Sequence, residues 1–246
     1  MDASGFLLRL VTTTASAANR ASAVSFLVAP LPPPTMAHPA QPLRMTVEEY
    51  LAFDAASPQG EKYEFYDGWV VPRHGYDKTG TVAMAGASPA HNRISFNLGA
   101  AFAPSVARKG CAPGVGDQRI RARGRAYVYA DFVLAFDEPF YSDDNPPVLE
   151  NPSLVLEILS ESTESTDRGR KLTDYTQLES LQEYWIVAQD VAEVTRFSRI
   201  AEGWCIESVS GTDAEIRCDV LDTTVSLADL YAGLELEDRP PYLPST

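Results

Sequence analysis

The sequence is poor in the residues that build compact metal and redox sites. It has three cysteines, Cys111, Cys205 and Cys218. They are odd in number, far apart and without a CxxC pair, which argues against a disulfide framework and a zinc knuckle and makes a reducing cytoplasm the expected setting. The three histidines, His38, His74 and His91, are too dispersed for a histidine-rich metal centre. No apolar run approaches the ~20 residues that a membrane helix needs, so no membrane partner is expected. Basic residues are also scarce, with 20 Lys and Arg against 34 Asp and Glu and a formal net charge of -14. An extended grip on phosphate backbones needs a basic face. The acidic average argues against strong non-specific binding of nucleic acid and leaves room for a local basic site. No Ser-His-Asp or Cys-His arrangement stands out, so small-molecule hydrolase chemistry ranks last among the functions considered.

The 246 residues, 45% hydrophobic, suffice for one sizeable domain with a buried core. Residues 1–44 differ from the rest. They are rich in Ala, Ser, Thr and Pro, with six prolines between Pro30 and Pro42 and Asp2 as the one acid. A signal peptide fits poorly because the apolar runs are short, and a transit peptide fits loosely. The expected reading is a disordered leader, or an upstream start with Met36 or Met45 as the true beginning. Residues 45–246 are then the single folded domain. Without the leader it carries 17 basic against 33 acidic residues, so it is more acidic still.

Thr46-Val-Glu-Glu49 reads as a capping box that opens a helix through Phe53. Lys62 to Val71 predicts a hairpin that turns at Asp67-Gly68, and Val82 to Met84 a short strand. Ser88-Pro89 starts a helix whose buried face is Ile94, Leu98, Ala101 and Phe102, and Gly110 ends it. Strands are expected at Gly114–Arg121, Tyr127–Phe136 and Leu154–Leu159, the last buried on both faces. A helix is expected from about Thr166 to Leu181. Strands at Glu183–Val187, Glu193–Arg199 and Trp204–Ser208 follow, with a short helix at Leu227–Tyr231. Strands dominate, so the fold class is α/β or α+β with a central mixed β-sheet flanked by helices.

Two acids sit where acids are costly. Asp131 lies within Tyr127-Val-Tyr-Ala-Asp-Phe-Val-Leu-Ala-Phe136, and Glu157 within Leu154-Val-Leu-Glu-Ile-Leu159. A buried carboxylate needs a partner. One divalent cation would satisfy both, and hard oxygen donors suit magnesium or manganese. Lys171, in Asp167-Arg-Gly-Arg-Lys171, lies at the edge of an apolar helix face and could project toward Glu157. There it could stabilise charge developing on a phosphoryl group. Each piece also has an ordinary reading. Asp131 could accept backbone hydrogen bonds, Glu157 could pair with Arg170, and Asp167 and Lys171 could form a surface pair four residues apart.

Eight segments in order carry a resemblance: Tyr63-Glu-Phe-Tyr-Asp-Gly68, Ser88-Pro-Ala-His-Asn92, Gly116-Asp-Gln-Arg119, Tyr129-Ala-Asp131, Leu154-Val-Leu-Glu-Ile-Leu-Ser160, Ser162-Thr163, Asp167-Arg-Gly-Arg-Lys171 and Glu183-Tyr-Trp-Ile-Val187. From about Thr46 to Arg199 the chain resembles the Uma-two family of the PD-(D/E)XK nuclease superfamily. The resemblance implies the restriction-endonuclease-like core. It implies Asp131 and Glu157 as the paired acids and metal ligands, and Lys171 as a migrated lysine, because Leu159 stands where the motif's lysine would be. It also implies Glu64 as a further early acid. His91 and Gln118 match polar positions of the family, and Ala130 replaces the proline usual before the first aspartate. The tail beyond about 210 lies outside the resemblance.

The expected function is a magnesium- or manganese-dependent endonuclease that hydrolyses phosphodiester bonds, with DNA as substrate. Arg119, Arg121, Arg123 and Arg125 form the one local basic run. Arg119 and Arg121, with His91 and Gln118, are the candidate nucleic-acid contacts. A solvated edge strand explains the same run. The alternative is a non-catalytic or partner-dependent protein that keeps the fold, which the acidic domain favours. A homodimer is left open.

Overall fold

A computed structural model describes residues 42–57, 61–75, 88–136, 138–160 and 163–237. The elements are β1 (Leu43–Arg44), α1 (Val47–Ala56), β2 (Tyr63–Tyr66), β3 (Trp69–Pro72), α2 (Pro89–Lys109), β4 (Ala112–Arg121), β5 (Tyr127–Ala135) and β6 (Leu154–Ile158). A helical segment follows in three contiguous parts, α3 (Glu164–Thr166), a π-helical turn (Asp167–Lys171) and α4 (Leu172–Tyr175). Then come β7 (Glu183–Val187), β8 (Glu193–Ile200), β9 (Gly203–Ser210), β10 (Glu215–Cys218), β11 (Thr223–Ser226) and α5 (Leu227–Leu230).

Local chemistry sets most boundaries. The Thr46 hydroxyl accepts from Glu49 N and the Glu49 carboxylate accepts from Thr46 N, which satisfies two amides at the start of α1. Asp67 and Gly68, at φ 50° and 92°, make the two-residue turn between β2 and β3 that needs positive φ at both positions. Ser88 caps α2, Pro89 occupies its first position, and Gly110 ends it in the left-handed region at φ 69°.

The strands form one mixed sheet in the order β1-β3-β2-β5-β6-β7-β8-β9, with β4 along the other edge of β5. Every pairing is antiparallel except β6–β7. Alternation on the central strands sends side chains to two cores. Phe132, Leu134, Leu154, Leu156 and Trp185 pack with Ile94, Leu98 and Phe102 of α2. Val133, Val155, Tyr184 and Ile186 pack with Tyr175 and Leu181. A third cluster joins Tyr50 of α1 to Phe65, Val70 and Tyr127.

The sheet divides at β5. One edge of β5 is covered by β4. The other is shared by β2, at Phe65↔Tyr127, and β6, from Phe132↔Leu156 to Leu134↔Leu154. The backbone of residues 128–131 on that edge faces the gap between the two.

Several boundaries differ from expectation. Leu43–Arg44, within the stretch read as leader, pairs with β3. The strand expected at Val82–Met84 lies outside the described residues. The helix expected to reach Leu181 ends at Tyr175 with Thr176 as its cap. Leu181 is core all the same, so the apolar spacing continues into a turn that also faces inward. The tail adds the hairpin β10–β11, which was not expected. Its Ile216, Cys218 and Val225, with Leu227, Leu230 and Tyr231, close the core beside α2. Glu183 at the start of β7 fastens it, because its carboxylate accepts from Asp219 N at 2.6 Å, Val220 N at 2.9 Å and Trp185 Nε1 at 2.7 Å.

Candidate active site

The gap between β2 and β6 is filled by charged side chains. Glu64 of β2 is buried, and its Oε1 accepts from Tyr129 N at 3.2 Å, while its Oε2 accepts from Tyr66 Oη at 2.8 Å. Asp131 of β5 accepts from Ile158 N at 2.8 Å. Continuing the β5–β6 register by two rungs would give that amide the Ala130 carbonyl, so the aspartate completes the ladder where the strands part. One rung beyond Phe132↔Leu156 in the same register stand Asp131 and Glu157, which places both on the face that carries Val133, Val155 and Tyr175.

Lys171 is delivered by the π-helical turn. The wider winding of such a turn resets the side-chain direction inside a helix and is frequent at functional sites. Its ammonium is buried and lies 3.1 Å from Glu64 Oε1, 3.2 Å from Glu157 Oε1 and 3.2 Å from Asp167 Oδ1. It also donates to the Tyr129 carbonyl at 3.2 Å. Tyr175, one turn on, donates to Glu157 Oε1 at 3.0 Å. Asp167 Oδ1 is buried without a hydrogen bond, in ionic contact with Lys171 but off the hydrogen-bond direction.

Asp131 is held separately. Arg73, just past β3, places Nη2 2.5 Å from Oδ1, and His91, on the first turn of α2, places Nε2 3.2 Å from Oδ2. Burial by itself would raise the Asp131 carboxyl. The hydrogen bond from His91, the Arg73 charge and the Ile158 amide outweigh it and hold the group well below the usual carboxylate range. Glu157 and Asp167 go the other way. Burial pushes both up, and Lys171 offsets this only in part, because one ammonium is shared among three acids. Burial opposes charge on Lys171 too, but Asp167, Glu157 and Glu64 win and hold it well above its ordinary value. Tyr66 and Tyr175 are raised chiefly by burial and stay protonated donors.

The structure therefore brings Asp131, Glu157, Lys171 and Glu64 to one place. It adds Asp167, Tyr175 and Arg73, which the sequence did not single out as site residues. Asp167 and Lys171 are the expected i,i+4 pair, but buried. Arg170 does not reach Glu157; it lies over the Tyr66 ring beside Asp67 and Asp174.

The other candidate contacts separate. Arg119 corrects the expectation of a phosphate-facing row. It is 2% exposed and ion-paired with Asp54 of α1, with its guanidinium donating to Tyr129 Oη at 3.0 Å. Alternation aims it at α1, and Asp54 holds it there. Arg121 is half-buried against Asp144 at 3.3 Å and Glu150 at 3.2 Å. Gln118 donates to the Arg119 carbonyl at 2.9 Å. His91 is the one of the four that touches Asp131.

The donor chemistry suits a hard divalent cation. Glu64, Asp131, Glu157 and Asp167 oppose two permanent cations, Lys171 and Arg73, and one buried carboxylate oxygen lacks a hydrogen bond. Among the described residues, no three His, Cys, Asp or Glu side chains form a ready ligand group. Arg73 and Lys171 stand among the acids instead.

A mixed sheet flanked by helices, with acids from adjacent central strands meeting a lysine from the following helix, defines a restriction-endonuclease-like fold. The chain belongs to the Uma2 family, described as "Putative restriction endonuclease", whose model matches residues 47–229. The match takes in β9 to β11 and most of α5, so the family extends to residue 229, into the tail that the resemblance had left out. Two proteins of Synechocystis sp., each named only as uncharacterized, are similar. One, sll1609, is 30% identical over 174 residues, 70% of this chain and 91% of its own length. The other, slr1290, is 29% identical over 194 residues, 78% of this chain and 93% of its own. No helix among the described residues is long and apolar enough to cross a membrane.

Proposed function

We propose that the chain is a divalent-metal-dependent nuclease that hydrolyses phosphodiester bonds in DNA, with Asp131 and Glu157 as metal ligands. The observation that carries this reading is the surplus of buried acid at the sheet gap, four carboxylates against Lys171 and Arg73. Such a surplus exceeds what the backbone needs. Glu64 and Asp131 accept from the Tyr129 and Ile158 amides, whereas Glu157 accepts from the Lys171 and Tyr175 side chains, and an apolar residue of similar volume would fill its place at lower electrostatic cost. A magnesium-type ion bound there would supply Lewis-acid activation of the phosphoryl group and a lowered water pKa. The protein's own residues would do the rest. Lys171, fixed by Glu64, Glu157 and Asp167, offers a positive charge to the oxygens of the reacting phosphate. Tyr175 aims Glu157, and the Ile158 amide and His91 aim Asp131.

A second reading, a binding protein that keeps the fold without catalysis, is favoured by the closure of the acids under Arg73 and Lys171 and by the net charge of -14. The test is cleavage of supercoiled plasmid, single-stranded DNA and RNA with magnesium, with manganese and with EDTA. Metal-dependent nicking of plasmid, absent in Glu157→Gln, is expected. Intact substrate with every metal would favour the binding protein.

A further inference from the structure

The Arg73–Asp131 contact conflicts with a working metal site. Asp131 Oδ2 already accepts from the Ile158 amide and faces His91, so Oδ1 is the less occupied oxygen, and the Arg73 guanidinium covers it at 2.5 Å. A guanidinium and a divalent ion cannot share that position, because like charges a few ångströms apart in a buried site repel strongly.

Arg73 joins a fixed backbone to a long side chain. Its backbone is pinned, since its amide donates to the Lys62 carbonyl at 2.8 Å, one rung beyond Tyr63↔Pro72. Its side chain is long and rests near the Tyr129 ring, 5.8 Å from the centroid, with Lys62 Nζ at 5.2 Å from the same ring. Off Asp131, the guanidinium would still be tethered beside a second cation. The planar fork of arginine suits a phosphate as well as a carboxylate.

We propose that Arg73 is the cation of the resting site and a phosphate-binding residue of the working one. It neutralises Asp131 in the free protein, yields that oxygen to the metal, and turns to the phosphate that the metal and Lys171 hold. This rests on the metal-dependent reading above. It makes metal and substrate mutually reinforcing, because each removes a reason for Arg73 to remain on Asp131.

The experiment uses the full chain, Arg73→Gln and Arg73→Lys, with thermal melts to verify folding. Magnesium binding is measured by calorimetry. Affinity for a short fluorescein-labelled DNA duplex is measured by anisotropy, with calcium in place of magnesium and with EDTA. If Arg73 occupies Asp131 in about nine molecules of ten, its removal tightens magnesium binding by about tenfold. The same Arg73→Gln variant should bind duplex more weakly than wild type with calcium and equally with EDTA, and Arg73→Lys should fall between. A residue of merely structural importance would weaken metal and duplex together. Magnesium binding that is unchanged or weaker in folded Arg73→Gln overturns the proposal and leaves the nuclease reading in place. Absence of magnesium binding in wild type and both variants overturns both.

Discussion

The Lys171 ammonium lies 3.2 Å from Glu157 Oε1, with both side chains 2% exposed. The lysine is the common counter-ion of Glu64, Glu157 and Asp167. Lys171→Met should therefore strand three buried acids. The expected loss is about 3–5 kcal/mol, read as a lower urea midpoint at neutral pH. Adding Glu157→Gln to Lys171→Met should recover part of it, a coupling absent if the lysine acted only through its aliphatic stem.

Glu157→Gln alone should behave differently. The wild-type carboxylate is held above its usual range chiefly by burial, so ionising it disfavours the fold. The neutral isostere should melt at or above the wild-type temperature. A gain of ~1 kcal/mol corresponds to roughly 2–4 °C for a chain of this size. Magnesium should raise the wild-type midpoint by mass action, and most of that shift should vanish in the variant. A strongly destabilised Glu157→Gln with no magnesium effect on either protein would make the residue structural.

The same shifts set a pH dependence. A carboxyl raised in the folded state, such as Glu157 or Asp167, weakens the fold at high pH, and the penalty fades as pH falls through its folded value toward ~4. Asp131 has the opposite sign. Its contribution is complete above ~4 and is lost as pH falls from there through its folded value. Lys171 contributes fully below ~10.4, and its contribution is lost as pH rises through its folded value. The stability advantage of Glu157→Gln over wild type should thus narrow between about pH 8 and about pH 5. Urea titrations of the two proteins across that range measure it, and an advantage that widens toward acid would contradict the raised value.

Leu43–Arg44 should matter more than a leader would. Leu43 pairs with Val70, Met45 N donates to the Gly68 carbonyl at 3.0 Å, and Arg44 lies over the Trp69 ring at 4.7 Å. A chain that begins at Thr46 should lose about 1–2 kcal/mol, whereas one that begins at Pro42 should keep those contacts. Equal midpoints for the two would show that β1 contributes nothing.

Glu183 is the fastening of the tail. Replacing it with Ala strands three donors, the amides of Asp219 and Val220 and the Trp185 indole. A loss of roughly 2–4 kcal/mol is expected, with hydrogen exchange accelerating first in β10 and β11.

Much of the fold was legible because its punctuation is local. The Thr46 box, the Asp67-Gly68 turn and the Ser88-Pro89 start each work within four residues, so sequence and structure agree there. The acids within β5 and β6 stood out because each interrupts an apolar run, and the resemblance linked them to Lys171. What escaped depends on distance. Arg73 follows Trp-Val-Val-Pro and looks like any cation after a strand, since its partner Asp131 is 58 residues away. Tyr175 reads as one more apolar residue at helical spacing until its hydroxyl meets Glu157. Arg119 shows the converse, because alternation groups residues onto one face without saying which face is covered. Asp54, 65 residues earlier, decides that.

The gap in the sheet ties this chemistry to the backbone. Tyr129 N, Tyr129 O and Ile158 N, which a continuous sheet would pair with neighbouring strands, are met by Glu64, Lys171 and Asp131 instead. These side chains are therefore masonry, and in the proposed nuclease machinery as well. A descendant that abandoned hydrolysis would still need them to close the sheet, so drift would preserve the acids and the lysine after selection for cleavage had ceased. Activity would be lost first at residues with no backbone duty, and Tyr175, whose hydroxyl reaches only a side chain, is the place to look for that loss.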